Sequence, residues 1–254
     1  MNYSSIVFGI AALLYIFIKH RTQPLIEKMT KAVCSLFFLF YIAYRIESQL
    51  DYLEKHPNGI PFFAWVNWGL VMLLFLFFLV SYLIREAPKV YAKGWREYVI
   101  PIVCAYLPFV IIESPRWVYF NWVRQFSFLK KILRPFYVQS PELWNPYSIL
   151  LLVVGGVITV LAMVSLKKSY SIFTEVRTPV FGGIYRYMRH PMYVGEIFST
   201  IGLCFLAPSW LAIGLTLLFV YLLYLRSRLE EKKISDLYPE YQNYRQKVGL
   251  LIPK

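Results

Sequence analysis

Hydrophobic positions in this chain fall into long uncharged blocks that short polar segments separate. The blocks predict seven membrane-spanning helices, at 3–18, 32–46, 62–84, 98–112, 147–166, 193–207 and 210–225. A helix that crosses a bilayer needs about 20 residues, so the shorter blocks are expected to be tilted or only partly inserted. The fourth block is also expected to be broken by Pro101 and Pro108. Only the short segment 207–209 separates the last two blocks, which predicts a helical hairpin.

Composition supports the same class of protein. Hydrophobic residues make up 58% of the 254 residues and charged residues only 16%, against roughly a quarter charged in soluble domains. The fold class expected is therefore an all-α polytopic membrane protein with about seven transmembrane helices, a C-terminal hairpin and a cytoplasmic helical tail. The first block follows uncharged residues and precedes Lys19-His20-Arg21, which favours a retained span over a cleaved signal peptide.

The distribution of basic residues predicts the orientation. Segments 19–31, 85–97, 167–192 and 226–254 carry four, four, five and seven Lys/Arg, and alternation of the spans places them on one side. The positive-inside rule makes that side the cytoplasm. Segment 113–146 is an exception, and its aromatic and basic residues suggest an interfacial stretch. The net charge of +13 is thus explained by topology and lipid contact, and no basic groove motif indicates nucleic acid.

Two regions of different character are expected. Residues 1–146 form an N-terminal transmembrane region of about four spans plus the interfacial segment, and residues 147–254 form a core of three spans, a polar loop and the tail. Cys34, Cys104 and Cys204 lie in separate apolar blocks, and His20, His56 and His190 are isolated. This arrangement offers no clustered ligands for a metal site.

Polar residues with chemical potential concentrate in the core region. The loop ends Gly182-Gly183-Ile184-Tyr185-Arg186 and then Arg189-His190-Pro191-Met192-Tyr193-Val194-Gly195-Glu196, and Arg226 to Glu231 follow the last span. Pro191 is suited to the first turn of a helix, and Arg226 and Glu230 share a helix face. The hairpin brings His190 and Tyr193 toward Arg226 and Glu230, and Glu196 is an ionisable group inside a span, which marks a functional candidate. Taken singly, these residues are also explained as a topology-determining loop and a solvated helix pair.

The pattern from about Ser169 to Pro253 resembles the isoprenylcysteine carboxyl methyltransferase family and its phospholipid N-methyltransferase relatives. It consists of Gly-x-Tyr-Arg-x-x-Arg-His-Pro-x-Tyr-x-Gly, a hydrophobic hairpin, Arg-x-x-x-Glu-Glu, Tyr-x-x-Tyr and a final Pro. The resemblance implies S-adenosylmethionine as cofactor and a lipophilic or prenylated acceptor. The cofactor-binding residues that it implies are Tyr170, Arg177, Thr178, Pro179, Val180, Tyr185, His190, Pro191, Met192, Tyr193 and Glu230.

Arg226 and Glu196 are the expected catalytic residues, and their roles depend on the acceptor. A carboxylate acceptor is already nucleophilic, and Arg226 is suited to hold it in a bidentate pair. An amine or thiol must lose a proton, which makes Glu196 or His190 a candidate base. The tail is one residue shorter than the family pattern around Pro239, so the register of Tyr241 and Tyr244 is not assigned.

The sequence leaves three alternatives of interpretation open. The first concerns the acceptor, which is either a prenylated cysteine carboxylate, a phospholipid amine, or a small lipophilic thiol or acid. An NADPH-dependent sterol-type reductase shares the hairpin, but the acidic Glu230-Glu231 pair suits a cationic donor better than a polyanionic one. A non-enzymatic protein that keeps the fold is the third interpretation.

Overall fold

The computed structural model of the protein describes residues 24–55, 62–117, 146–206 and 209–252. Within these ranges the chain forms α-helices and no β-strand, which confirms the all-helical prediction. The helices are α1 (Leu25–Lys55), α2 (Phe62–Ile84), α3 (Gly94–Trp117), α4 (Pro146–Leu166), α5 (Pro191–Leu206), α6 (Trp210–Leu237) and α7 (Glu240–Lys247). Two 3₁₀ helices, Lys167–Ser169 and Gly183–Arg186, lie between α4 and α5.

Four of these helices are long and apolar enough to cross a membrane, which identifies the chain as a membrane protein. The segments are Trp65–Ile84 in α2, Gly94–Ile111 in α3, Pro146–Ser169, which is α4 with the 3₁₀ helix that follows it, and Trp210–Leu237, which is α6. Helix α5 has 16 residues, so it is ~24 Å long at 1.5 Å per residue, which is shorter than a ~30 Å hydrocarbon core. Helix α1 is not among the four, so a crossing at 32–46 stays a prediction. The predicted span 3–18 and most of the predicted interfacial segment, 118–145, lie outside the described residues.

The prediction that prolines break the fourth span is wrong. Helix α3 runs without interruption over 24 residues and includes both Pro101 and Pro108. Each proline removes one backbone donor from the helix. Neighbouring helices and small local adjustments compensate for that loss in membrane helices, so a proline there does not end the helix.

Close contact between α4 and α5 sets the shape of the C-terminal part. A Cβ on Gly155 would lie 2.6 Å from the Gly195 carbonyl oxygen, and one on Gly195 would lie 2.7 Å from the Gly155 carbonyl oxygen. On the other side of α4, a Cβ on Gly156 would only touch Leu70 of α2, at 3.4 Å. The glycine pair therefore permits close helix packing, as small residues do in membranes.

Four segments meet at one end of the bundle. The connection after α2 joins the loop after α4 through an antiparallel bridge between Val90 and Val176. The loop before α5 joins the residues after α7 through a parallel bridge between Met188 and Gly249. The start of α1 lies at the same end, because Glu27 contacts Arg85 at 2.8 Å. The basic segments that alternation of spans places on one side are thus together.

Candidate functional site

A cavity of about 130 Å³ lies at this end of the bundle, between the loop after α4, the start of α5 and the C-terminal half of α6. Eleven of the thirteen residues predicted for the site line it. They are Tyr170, Arg177, Thr178, Pro179, Val180, Tyr185, His190, Met192, Tyr193, Arg226 and Glu230. Segments that are distant in sequence therefore form one pocket, as the hairpin argument predicted for His190, Tyr193, Arg226 and Glu230.

Glu230 is the polar centre of the cavity. Its Oε1 accepts a hydrogen bond from the Tyr193 hydroxyl at 2.7 Å and another from Arg226 Nε at 3.0 Å. Its Oε2 lies 4.0 Å from His190 Nδ1. Within the described residues no group donates a hydrogen bond to Oε2. The carboxylate is therefore fixed by one oxygen, and the other remains available to a ligand.

Arg226 is committed to protein contacts more fully than the sequence suggested. Besides Glu230, its NH2 group donates to the carbonyl oxygens of Ser171 and Ile172, at 3.3 and 2.8 Å. Its guanidinium also lies over the Tyr193 ring, 5.2 Å from the centroid. A bidentate fork to a substrate carboxylate would have to break these loop contacts. In this geometry Arg226 holds the loop and Glu230 in place, and within the described residues no hydrogen bond is found for its NH1 group.

Glu231 points away from the cavity although it is the next residue of α6. It is buried, and its Oε1 lies 2.9 Å from Arg189 Nε and 3.3 Å from His190 Nε2, while its Oε2 lies 3.5 Å from Arg245 Nε. The Arg189 NH1 group donates to the Arg245 carbonyl oxygen. Glu231 thus joins the loop, α6 and the tail, and its charge is already balanced inside the protein.

His190 is held in a fixed position between these two carboxylates. The imidazole is 8% exposed and stacks on the Tyr193 ring, with centroids 5.0 Å apart. Its backbone N–H donates to the Leu250 carbonyl oxygen beyond α7. His190 therefore orients Tyr193, whose hydroxyl in turn orients Glu230.

Tyrosines form the walls of the cavity. Tyr170 stacks on Phe78 of α2 with centroids 5.0 Å apart, and Tyr244 donates a hydrogen bond to the Tyr185 carbonyl oxygen at 2.5 Å. Burial raises the pKa of Tyr170 and Tyr185 well above the ordinary value for a phenol, and burial raises the pKa of Tyr244 to about 12. These phenols stay protonated at neutral pH, so they act as donors and aromatic surfaces rather than as bases.

A network of buried charges supports the opposite wall. Arg177 donates to Glu175 at 2.9 Å and to the Glu86 carbonyl oxygen at 3.0 Å, and its NH2 lies 3.5 Å from Glu27. Glu27 also contacts Arg85, which is fully buried. Burial raises the pKa of Glu27, and the neighbouring guanidinium groups of Arg85 and Arg177 oppose this shift. Through these contacts α1 and the end of α2 set the position of a residue that lines the cavity.

Lys233, one turn beyond Glu230, fixes the same loop from α6. Its ammonium donates to the carbonyl oxygens of Tyr91 and Thr174, both at 3.0 Å, and pairs with Glu97 at the start of α3. One side chain therefore holds together the connection before α3, the first turn of α3 and the loop after α4.

Two predicted residues do not line the cavity. Pro191 is the first residue of α5, as its position in the motif predicted, and it acts there on the backbone. Glu196 lies deeper along α5, behind Tyr193, where it interacts electrostatically with Arg226 and Glu230. The assignment of Glu196 as a catalytic residue stays a prediction.

Several lining residues were not predicted. They are Leu166, Ser169, Ser171, Phe173, Glu175, Arg189, Ile234, Tyr241 and Tyr244. Ser169, Ser171 and Arg189 belong to the loop that the sequence pattern singled out, and the spacing of Tyr241 and Tyr244 also marked them. Glu175 carried no signal in the sequence, because its role depends on contacts with Ser171 and Arg177 that only the folded loop creates.

Similarity to known proteins covers the part of the chain that builds this cavity. Residues 144–241 match the family described as phospholipid methyltransferase. The chain is also 31% identical over 93 residues to methanethiol S-methyltransferase of Pseudomonas deceptionensis, which covers 36% of this chain and 34% of that protein. The chain therefore matches about a third of the length of this curated relative. These findings confirm the resemblance predicted from the sequence, over the C-terminal part.

Proposed function

We propose that this protein is an integral membrane methyltransferase that transfers a methyl group from S-adenosylmethionine to an amphiphilic acceptor. The single observation that carries the proposal is the set formed by Tyr193, Glu230 and Arg226 in a cavity that lies inside the matched region. The names of the matched family and of the matched relative, both methyltransferases, support the reaction class. We further propose that the cavity faces the cytoplasm, because the segments around it carry most of the basic residues.

The residues of the cavity fit the proposed cofactor. Tyrosine faces attract cations and stack on flat rings, and the free Oε2 of Glu230 suits the ammonium of an amino-acid group. Arg177 lines the same cavity, but its guanidinium is already held by Glu175, Glu27 and the Glu86 carbonyl oxygen, so it supports the wall of the cavity. The cavity volume of about 130 Å³ is smaller than the ~300 Å³ at which pockets for drug-sized ligands begin. Entry of the cofactor therefore requires the tyrosine walls to move apart.

The protein contributes position and exclusion of water. When bound, S-adenosylmethionine supplies a methyl group that its sulfonium already activates. Tyr193 and Arg226 hold Glu230 in one orientation, and Glu230 fixes the polar end of the ligand so that the reacting groups are aligned. Tyr170, Tyr185 and the apolar ends of the helices keep water away from the reacting centre.

The acceptor class is the finer part of the proposal. A carboxylate of an isoprenylcysteine type needs no proton removed, and His190, the lining residue most suited to act as a base at neutral pH, is held between Glu230 and Glu231. This geometry favours a carboxylate acceptor, which the NH1 group of Arg226 can approach. A small thiol is the second candidate, and the 31% identity to methanethiol S-methyltransferase favours it. A thiol must lose its proton, so this candidate requires a base in the cavity, which a carboxylate acceptor does not.

Titration of S-adenosylhomocysteine into detergent-purified protein tests the cofactor, with NADPH as the parallel ligand. We expect saturable binding of S-adenosylhomocysteine, at least a tenfold loss in Glu230→Gln, and no loss in Glu240→Gln, whose side chain is exposed. Binding of NADPH alone would overturn the proposal in favour of a reductase. Transfer of a labelled methyl group to a prenylated cysteine, phosphatidylethanolamine or methanethiol then identifies the acceptor.

A further inference from the structure

A second and larger cavity lies on the other side of α6. It has a volume of about 910 Å³ and forms a groove between the first turns of α3 and the C-terminal half of α6. Arg226 and Glu230 face the site cavity, whereas Arg228, Leu229 and Lys232 of the same helix face this groove. The groove is therefore separate from the proposed reaction site.

The groove has an apolar part and a basic mouth. Val99 and Val103 of α3 and Leu222 and Leu225 of α6 line the apolar part. They lie inside the two segments that are apolar enough to cross a membrane, on the far side of Arg96 and Arg228 from the polar ends of α3 and α6. This part is therefore expected at the depth of lipid acyl chains. Its dimensions and lining suit a hydrocarbon chain that runs alongside the helices.

The basic mouth is the part next to the tail. It is formed by Arg96, Arg228, Lys232 and Arg245, and the first three are exposed. Arg245 contacts Glu231 at 3.5 Å, but none of the other three has an ion-pair partner within the described residues. The acidic residues of the groove are Asp236 and Glu231, and Glu231 is already balanced by Arg189. The mouth therefore carries an excess of positive charge, and three of its four basic side chains have no ion-pair partner among the described residues.

Trp95 marks the depth of the mouth. Its side chain is 66% exposed, and Arg96 lies over its ring at 5.4 Å from the centroid. Tryptophan favours the headgroup level of a bilayer, where an amphipathic ring meets both lipid and water. The mouth is thus expected at the level of lipid headgroups, with the apolar part below it.

We propose that this groove binds an anionic glycerophospholipid of the membrane leaflet next to the tail. Its phosphate pairs with Arg96, Arg228 and Lys232, and one acyl chain lies along Val99, Val103, Leu222 and Leu225. Basic pockets between transmembrane helices bind anionic headgroups in this way. The excess positive charge disfavours the amine of phosphatidylethanolamine and adds nothing for phosphatidylcholine. The inference goes beyond the proposed function, because the lipid is a bound partner and not the acceptor.

Native mass spectrometry of the delipidated protein in neutral detergent tests the proposal. Phosphatidylglycerol is the probe, with phosphatidylcholine, phosphatidylethanolamine and water-soluble glycerol phosphate as comparison ligands. We expect one phosphatidylglycerol to be retained per chain, and at least tenfold weaker retention of each comparison ligand. Equal retention of phosphatidylcholine or of glycerol phosphate would overturn the proposal.

Two variants and one matched control locate the site. The triple variant Arg96→Gln/Arg228→Gln/Lys232→Gln is expected to lose at least tenfold in affinity for phosphatidylglycerol. The control Lys168→Gln/Arg186→Gln/Lys247→Gln removes the same charge from exposed residues outside the groove and is expected to bind as the wild type does. Val103→Trp fills the apolar part without a change in charge and is expected to lose retention too. Equal losses in the triple variant and the control would show a nonspecific charge effect and overturn the proposal.

Titration of S-adenosylhomocysteine separates this inference from the proposed function. The triple variant is expected to bind S-adenosylhomocysteine as the wild type does, which also shows that it is folded. If the wild type fails to bind it, the proposed function falls while the lipid result stands. A dimer mass that Val103→Trp abolishes would assign the groove to a second copy of the chain and overturn the lipid proposal.

Discussion

The Tyr193 hydroxyl donates a hydrogen bond to Glu230 Oε1 at 2.7 Å and so connects the first turn of α5 to α6, 37 residues along the chain. The same oxygen accepts from Arg226 at 3.0 Å. One carboxylate oxygen thus accepts hydrogen bonds from side chains of two helices, and these two bonds set the direction of the second oxygen. The contacts in the cavity therefore fix the orientation of the Glu230 carboxylate, and do not merely place a negative charge there.

Tyr193→Phe tests this orientation directly. The substitution removes one hydrogen bond to a charged group, worth about 1.5 kcal/mol or more, so binding of S-adenosylhomocysteine is expected to weaken roughly tenfold. Calorimetric titration measures the change. Tyr187→Phe is the matched control, because Tyr187 is 63% exposed and does not line the cavity. Unchanged affinity in Tyr193→Phe would contradict the role assigned to the hydroxyl.

Glu230→Gln and Glu231→Gln are expected to have different effects, the first on ligand binding and the second on the stability of the protein. Glu231 is buried against Arg189, His190 and Arg245, and removal of one partner from a buried ion pair costs about 3–5 kcal/mol. Glu231→Gln should therefore lower the melting temperature in detergent by several degrees, whereas Glu230→Gln should mainly weaken ligand binding. The reverse ranking in melting temperature would show that the two carboxylates have been assigned the wrong way round.

Gly195→Ala is expected to destabilise the protein by forcing α4 and α5 apart. The added Cβ would lie 2.7 Å from the Gly155 carbonyl oxygen and 2.8 Å from the Thr159 backbone nitrogen. Overpacking of this kind costs about 1–3 kcal/mol. Gly214→Ala on α6 is the control, because its Cβ would meet no atom within 4 Å, and it should be neutral or slightly stabilising. Equal melting temperatures for the two variants would contradict the close helix contact.

Glu27→Gln is expected to weaken binding of a ligand in the cavity, although Glu27 does not line the cavity itself. Glu27 contacts Arg85 and Arg177, and Arg177 lines the cavity. A double-mutant cycle between Glu27→Gln and Arg177→Gln, read by affinity for S-adenosylhomocysteine, should give a coupling of about 0.5 kcal/mol or more, as contacting residues do. Glu86→Gln is the control, because the Glu86 side chain forms an exposed pair with Lys168 and its contact with Arg177 is through the backbone carbonyl, which the substitution keeps. Additive effects in the cycle would contradict the connection.

The sequence predicted which residues line the candidate cavity better than it predicted the contacts that hold those residues in place. The spacing of His190, Tyr193, Arg226 and Glu230, together with the short hairpin turn, was enough to bring these residues together. Adjacent Glu230 and Glu231 could not be told apart, because their environments depend on which way α6 faces. The contact of Glu27 with Arg177 joins residues 150 positions apart, and no periodicity in the chain encodes such a pairing.

The fold was predictable where composition alone decides it. Apolar blocks gave the helices α2 and α4 to within one residue of their observed bounds. The blocks failed to predict that α3 continues past Pro101 and Pro108. The last block ends at 225, and the helical continuation predicted from the spacing of Arg226 and Glu230 reaches Leu237. Near that end Lys233 contacts Tyr91 and Thr174, and local sequence does not encode these contacts.

The consecutive positions of Glu230 and Glu231 have a mechanical consequence. Successive residues of a helix point about 100° apart, so a small turn of α6 about its axis moves both carboxylates at once. Widening of the cavity that reorients Glu230 must therefore strain the contacts of Glu231 with Arg189 and Arg245. Susceptibility of segment 245–252 to a protease should then change when a ligand fills the cavity.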